Sequence, residues 1–124
     1  MNVVDSCGWL EYFTDGPNAG FFAAPIEALE ELLVPAVSLC EVFKRVLQQR
    51  GEGAALQAVA VMQQGRVAEA DGTLALAAAH LGPRLKLAMA DSLMLAASCA
   101  NDAVLWTEDA DFAAVDGVRY IPRR

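Results

Sequence analysis

The sequence predicts an α/β fold in which a central, mainly parallel sheet of four or five strands lies between two layers of helices. Short apolar runs alternate along the chain with longer segments of helical periodicity, and strands separated by helices form parallel sheets with right-handed crossovers. The first run, Met1–Val4, leads directly into Asp5 and Ser6, as a buried parallel strand does where the chain leaves the sheet. The length of 124 residues fits one domain, residues 1–124.

The remaining elements follow from the spacing of apolar residues and from the turn-forming residues between them. The best-defined helix is Ser38–Arg50, in which apolar side chains recur at helical spacing and which Gly51 ends. A later helix is expected to break at Gly82 and Pro83. In chain order, we predict helices at residues 8–13, 21–31, 38–50, 52–64, 71–81 and 90–100, and further strands at residues 32–35, 67–70, 103–106 and 118–121.

The charge of the chain argues against a broad nucleic-acid-binding face. Nine Lys and Arg residues stand against sixteen Asp and Glu residues, for a formal net charge of −7, whereas nucleic-acid-binding domains are usually basic. The acidic balance is compatible with an enzyme that binds phosphates through metal ions, because the cations then supply the positive charge. An acidic surface also suits a basic protein partner.

No segment of the sequence predicts a membrane protein or a secreted one. No apolar run reaches the roughly 18 residues of a membrane span, and the N-terminus lacks a basic segment followed by an apolar one. The cysteines Cys7, Cys40 and Cys99 are odd in number, widely spaced and embedded in apolar sequence. These features predict buried free thiols in a reducing compartment, and hence a cytoplasmic protein.

Taken singly, most acids at the ends of the predicted elements have an ordinary structural explanation. Asp5 can cap the helix that follows it, and Asp109 or Asp111 can cap a short turn after the fourth strand. Ser38 and Glu41 have the spacing of a capping box at the start of their helix. Capping is therefore an alternative to a functional role for each of these residues.

Taken together, four acids are expected to converge on one edge of the sheet. Asp5 and Asp109 each follow the carboxyl end of a predicted strand, and Glu41 lies in the first turn after the second strand. Asp91 begins an apolar helix, where a carboxylate needs a partner or a helix to cap. Clustered carboxylates repel one another, and a hard divalent cation such as Mg²⁺ or Mn²⁺ removes that repulsion. No His or Cys is expected among the acids, which argues against structural zinc.

Four short motifs give the chain a resemblance to a known family. They are Val4-Asp5-Ser6, Ser38-Leu39-Cys40-Glu41, Ala90-Asp91 and Thr107-Glu108-Asp109-Ala110-Asp111-Phe112. Their order and spacing, which cover the whole chain, resemble the PIN domain. The length and the layout resemble the VapC-type toxin branch of that family.

The resemblance implies a metal-dependent endoribonuclease with a PIN-like fold. Water activated by the metal would hydrolyse an RNA phosphodiester without a histidine base, and we expect the single histidine, His80, to be structural. The implied partners are an RNA substrate, a second copy in a homodimer and a VapB-like antitoxin whose tail blocks the acidic pocket. The implied metal ligands are Asp5, Glu41, Asp91 and Asp109, with Asp111 as a candidate fifth ligand or alternative fourth acid, and with Ser6 and Thr107 holding carboxylates or waters beside them.

Two other functions fit the same residues. The chain can be a non-toxin PIN nuclease that acts in RNA processing or decay, or a PIN-like binding module that has lost turnover. The acids count against the binding module, because idle clustered carboxylates only destabilise a fold. Several basic residues can either steer RNA phosphates or belong to solvated helix faces: Lys44, Arg45, Arg50, Arg84 and Lys86.

Overall fold

The computed structural model, which describes every residue from Met1 to Arg124, has five short parallel strands and six helices. Two helices lie in each of the first three connections between strands, and a 3-10 turn lies in the last. The strands are β1 (Asn2–Val4), β2 (Leu33–Pro35), β3 (Arg66–Ala68), β4 (Val104–Thr107) and β5 (Val118–Tyr120). The helices are α1 (Ser6–Phe13), α2 (Ala19–Glu27), α3 (Ala36–Arg50), α4 (Glu52–Met62), α5 (Gly72–Leu85) and α6 (Met89–Ala100). Two short 3-10 turns, Leu29–Glu31 and Ala110–Phe112, precede β2 and β5.

The first strand lies at the centre of the sheet. β1 pairs with β4, and β4 pairs with β5, while β2 pairs separately with β3, and all three pairings are parallel. A parallel bridge between Asn2 and Leu32 joins the two pieces. The strand order is therefore β3-β2-β1-β4-β5, so the prediction of a mainly parallel sheet of four or five strands is confirmed, and β3 and β5 are the edges.

Two apolar cores lie on opposite faces of the sheet. Successive side chains of a strand point to opposite faces, so Val4 packs against α1–α4 whereas Val3 packs against α5 and α6. In β2 the same alternation places Val34 in the first core and Leu33 in the second. The helices thus form two layers around the sheet, which confirms the three-layer arrangement.

A glycine lets α1 lie close to the sheet and to α2. A Cβ atom on Gly8 would lie 2.6 Å from the ring of Phe22 and 2.7 Å from Cγ1 of Val4. Both neighbours are fully or almost fully buried, and such short carbon contacts require one of them to move. Gly8 therefore sets how closely the first turn of α1, which follows Asp5, approaches the core.

Several predicted helix boundaries were wrong, among them those of α2, α3 and α5. α2 ends at Glu27, and the chain continues as a 3-10 turn rather than as helix to residue 31. α5 passes through Pro83 and ends where Lys86 adopts a left-handed conformation (φ 58°). α3 begins at Ala36, so Ser38 is buried inside the helix and forms no capping box. Glu41 is thereby free of the capping role that its spacing indicated.

The prediction of buried thiols was also wrong. Cys40 and Cys99 are exposed and Cys7 is half-buried, all three as free thiols. Apolar sequence neighbours do not settle burial in a helix, because successive residues point in different directions around its axis. None of the helices combines the length and the apolar character that crossing a membrane requires.

Candidate active site

Four of the five predicted acids line one cleft at the carboxyl edge of the sheet. Asp5 follows β1, Asp109 follows β4, Glu41 lies in α3 and Asp91 lies in the first turn of α6. The cleft has a volume of about 490 Å³. It also contains Ser6, Cys7, Leu10, Lys44, Arg45, Gln48 and Arg123.

Asp5 is held by three donors at the centre of this edge. Its Oδ1 accepts a 2.7 Å hydrogen bond from the backbone N–H of Ser6. Its Oδ2 accepts one of 2.7 Å from Thr107 Oγ1 and one of 3.3 Å from Cys7 Sγ. Asp5 is only 4% exposed, and this burial raises its pKa while the three hydrogen bonds act in the opposite direction.

Ser6 and Thr107 connect three of the acidic residues to one another. Thr107 Oγ1 donates to Asp5 and accepts a 2.9 Å hydrogen bond from the backbone N–H of Asp109. Ser6 Oγ donates a 2.6 Å hydrogen bond to Glu41 Oε1, while its backbone N–H donates to Asp5. The ends of β1 and β4, the first turn of α1 and the second turn of α3 are thus linked through side chains.

Asp91 has no partner within the protein. Its carboxylate is half-buried and takes part in no hydrogen bond, and the single salt bridge of the structure lies elsewhere. Ala88 occupies the N-cap position of α6, and no side chain caps that helix. Burial raises the pKa of Asp91 to about 7, and repulsion by neighbouring carboxylates adds to the shift. Those carboxylates belong to Asp5, Asp109, Glu41 and Asp111, in order of decreasing effect.

The donor set of the cleft suits a hard divalent cation. One carboxylate oxygen from each of Asp91, Asp109 and Asp111 lies within 4.8 Å of the other two. Asp109 Oδ1 accepts from the backbone N–H of Asp111 at 2.9 Å, which leaves its second oxygen without a protein donor. Oxygen ligands on acidic side chains are those that Mg²⁺ and Mn²⁺ prefer. Both Asp109 and Asp111 belong to this group, Asp109 as a half-buried member and Asp111 as the exposed one.

The sequence matches the family model of the PIN domain over residues 3–118. The chain belongs to the PIN domain family. No curated protein sequence matches it significantly. The earlier resemblance to this family is therefore confirmed on independent grounds.

Solved structures share this PIN fold at low sequence identity. The VapC20 toxin of Mycobacterium tuberculosis, described as a Sarcin-Ricin loop cleaving toxin, superposes with a TM-score of 0.79 at 17% identity, over 95% of this chain and 97% of that one. A toxin-antitoxin complex from Klebsiella pneumoniae gives a TM-score of 0.78 at 18% identity, with 95% of each chain covered. VapBC2 from Rickettsia felis, bound to a DNA fragment from its promoter, gives 0.75 at 12% identity, over 98% and 97%.

Sequence reasoning missed three polar side chains of this PIN domain's cleft, those of Cys7, Gln48 and Arg123. Cys7 contacts Asp5, which contradicts the expectation that no cysteine accompanies the acids, and burial raises the pKa of its thiol to about 12. Its position in the first turn of α1, two residues after Asp5, was a usable signal. Arg123 lines the cleft from the far end of the chain, where no local pattern points to the acids.

The predicted basic residues divide into two groups. Lys44 and Arg45 line the acidic cleft of the PIN domain, whereas Arg50 lines an apolar groove and Lys86 lies beside α5 and α6. His80 is exposed on α5 and lines none of these depressions. Of that set, only Lys44 and Arg45 lie beside the acids.

Proposed function

We propose that this PIN domain is a metal-dependent endoribonuclease and the toxin of a toxin–antitoxin pair. One observation carries the proposal: four carboxylates line a single cleft, and no salt bridge neutralises any of them. Unpaired, partly buried carboxylates at such short range destabilise a fold. A cation site explains why the chain keeps them together.

The proposed metal is Mg²⁺ or Mn²⁺. The ligands are Asp91 and Asp109, with Asp5, Glu41 and Asp111 completing the acidic set as ligands or through intervening waters. When bound, such a cation supplies a Lewis acid that lowers the pKa of water and neutralises charge on a phosphate. The protein residues contribute position: Ser6 and Thr107 fix the orientation of the carboxylates that they contact.

The proposed reaction is hydrolysis of an RNA phosphodiester. A water molecule loses a proton as its oxygen forms a bond to phosphorus. The bond between phosphorus and the leaving ribose oxygen breaks, and the leaving oxygen takes up a proton. Lys44 and Arg45 offer positive charge within the same cleft, and they are suited to bind the RNA backbone beside the reacting phosphate. No histidine base is needed for this chemistry.

The proposed partner is a VapB-like antitoxin. Proteins of the same fold include a toxin-antitoxin complex and a VapBC pair. An apolar groove of about 260 Å³ between α1, α3 and α4 meets the acidic cleft at Leu10, which lines both. A partner segment could place apolar residues in this groove and a following basic residue in the acidic cleft.

Two further parts of the proposal concern assembly and location. We expect a homodimer, and the 75% and 80% exposure of Leu76 on α5 and Met89 on α6 is compatible with an apolar contact there. The three free cysteines fit a reducing compartment. The proposal therefore places the protein in the cytoplasm.

The deciding experiment is metal-dependent cleavage of structured RNA by the pure protein. We expect cleavage with Mg²⁺ or Mn²⁺ that chelation abolishes, and loss of cleavage in Asp5→Asn and Asp91→Asn with the fold intact. The matched control is Asp116→Asn, because Asp116 is an exposed acid outside the cleft. Equal inactivity of the wild type and both variants would leave the binding-module alternative. A neighbouring reading frame that encodes a small DNA-binding protein would favour the toxin over a non-toxin nuclease.

A further inference from the structure

The side chain of Arg123 is fixed at the border of the acidic cleft. Its Nε donates a 2.8 Å hydrogen bond to Glu108 Oε2 in the only salt bridge of the structure. The Arg123 side chain is 64% exposed, whereas the Glu108 side chain is 6% exposed. The anchor is therefore buried and the guanidinium is presented to solvent.

Glu108 and the neighbouring backbone hold the end of the chain in place. Asn18 Nδ2 donates to Glu108 Oε1 at 3.2 Å and to the carbonyl oxygen of Pro122 at 3.0 Å. The backbone N–H of Ile121 donates to the carbonyl oxygen of Thr107 at 3.0 Å. Ile121, Pro122 and Arg123 thus each form a hydrogen bond, to Thr107, Asn18 and Glu108 respectively. These bonds give Arg123 a defined position.

Arg123 lies between two depressions of the surface. It lines the acidic cleft together with Asp109, and it lines a second depression of about 380 Å³, also with Asp109 and with Tyr120. Lys44 and Arg45 reach the cleft from α3, whereas Arg123 reaches it from the C-terminal segment. Asp109 and Arg123 line both depressions, so an RNA strand that runs from the acids into the second depression passes beside these two side chains.

The geometry of the ion pair leaves the guanidinium able to bind a ligand. Pairing with Glu108 uses Nε, so both terminal Nη groups keep their N–H donors. A guanidinium fork matches the oxygen atoms of a phosphate group in charge and in spacing. Positive charge beside a group of acids is also what a polyanionic substrate requires in order to approach them.

We propose that Arg123 binds a backbone phosphate of the RNA substrate where the strand passes from the acidic cleft into the second depression. Glu108 is the positioning residue that orients the guanidinium. The inference rests on the proposed function, since it concerns the same substrate at the same cleft.

A role in stability alone explains the pair less well. Burying the Glu108 carboxylate carries a desolvation cost, and an ion pair whose cation is mostly exposed contributes little in return. The chain nevertheless retains a buried acid whose two oxygens are both occupied by Asn18 and Arg123. Orientation of a substrate-binding group accounts for this arrangement.

The test compares RNA binding and metal binding in Arg123→Gln, with Arg124→Gln as the matched control. Arg124 is the adjacent exposed arginine and lines neither depression. RNA affinity is measured with a short fluorescein-labelled RNA and Mg²⁺, over a range of salt concentrations. These proteins also carry Asp91→Asn, which we expect to prevent cleavage. Mn²⁺ affinity is measured by calorimetry in proteins with Asp91 intact. Cleavage kinetics of the Asp91-intact proteins give KM and kcat.

We expect Arg123→Gln to weaken RNA affinity and raise KM about tenfold with kcat little changed. The slope of log affinity against log salt concentration should decrease in magnitude by roughly 0.7 to 0.9, which is the contribution of one phosphate contact. Mn²⁺ affinity should stay equal or increase, because a positive charge near the acids has been removed. A structural role would instead weaken both affinities together, along with thermal stability.

Two results would overturn the inference. One is RNA affinity and salt dependence in Arg123→Gln equal to those of Arg124→Gln. The other is parallel loss of RNA binding, metal binding and stability. If Arg123→Gln does not fold, Arg123→Lys keeps a charge for Glu108 but lacks the fork, and full RNA affinity in that variant also rejects the inference. Failure of the wild type to cleave RNA tests the proposed function separately.

Discussion

Thr107 Oγ1 donates a 2.7 Å hydrogen bond to Asp5 Oδ2 and so joins the carboxyl ends of two neighbouring strands, β4 and β1. The same hydroxyl accepts the backbone N–H of Asp109 at 2.9 Å. One fully buried side chain therefore sets the positions of two candidate metal ligands. A carboxylate that is held at the end of a sheet strand keeps the geometry of a metal site more precisely than a carboxylate on a free loop.

Thr107→Val keeps the shape of the side chain and removes this hydroxyl. We expect a loss of about 1–3 kcal/mol in the free energy of unfolding, because a buried carboxylate and a buried N–H lose their partner. We also expect RNA cleavage and metal affinity to fall by about 10- to 100-fold. Urea unfolding, Mn²⁺ calorimetry and the cleavage assay measure these effects. Thr107→Ser, which retains the hydroxyl, is the control, and wild-type metal affinity in Thr107→Val would contradict the assigned role.

Local sequence patterns predicted the sheet and the acidic edge because they depend on neighbouring residues. The run Val3–Val4 followed by Asp5 marks a buried strand that ends at a polar edge, and the structure places it at the centre of the sheet. The periodicity of α3 and α6 placed Glu41 and Asp91 near the starts of their helices. Parallel topology then brings strand ends and helix starts to the same edge.

Features that depend on distant contacts were beyond local patterns. Arg123 is placed by Glu108 and by Asn18, which binds Pro122 across 104 residues of sequence. The half-burial of Cys7 depends on the contacts of its Sγ atom with Asp5 and with Thr107, which is 100 residues away in sequence. Ser38 appeared to be a cap because its spacing to Glu41 is right, but Pro35 starts α3 earlier.

The stability of the metal-free protein should decrease as the pH rises from about 4 to about 7. In the folded state the pKa of Asp91 is raised from 3.8 to about 7, chiefly by burial. In this range the folded protein retains a proton on Asp91 that the unfolded chain has released, so the free energy of unfolding falls as the pH rises. Thermal unfolding in the presence of a chelator measures the effect.

Asp91→Asn is the control for this pH dependence. The variant should lose most of the decline and be the more stable protein at about pH 8 without metal, because the buried charge is gone. Mg²⁺ should raise the melting temperature of the wild type more at about pH 8 than at about pH 5, since protons compete for the carboxylates. An unchanged pH profile in Asp91→Asn would assign the dependence to other groups.

Asp109 should contribute more to metal binding than Asp111. Asp109 is half-buried and its charge acts on both Asp5 and Asp91, whereas Asp111 is exposed and acts most weakly on Asp91. We expect Asp109→Asn to weaken Mn²⁺ binding by about tenfold or more and Asp111→Asn by only a few-fold. Asparagine retains the oxygen that caps the 3-10 turn at Asp109, so both variants should fold. Calorimetry of the two variants measures their Mn²⁺ affinities. Equal losses of affinity would contradict the expected order and make Asp111 an equal ligand.

Gly8→Ala should destabilise the fold and disturb the cleft at the same time. The added methyl group meets the ring of Phe22 at 2.6 Å, and relief of such overpacking in a core costs about 1–3 kcal/mol. Movement of α1 away from α2 shifts Ser6 and Cys7, which contact Glu41 and Asp5, so RNA cleavage should decrease beyond the loss of folded protein. Gly20→Ala in α2 is the control, because its Cβ meets nothing within 4 Å and alanine favours a helix by about 0.5–1 kcal/mol. Urea unfolding and cleavage per folded molecule are the measurements, and wild-type values for Gly8→Ala would show that α1 has room to adjust without moving the acids.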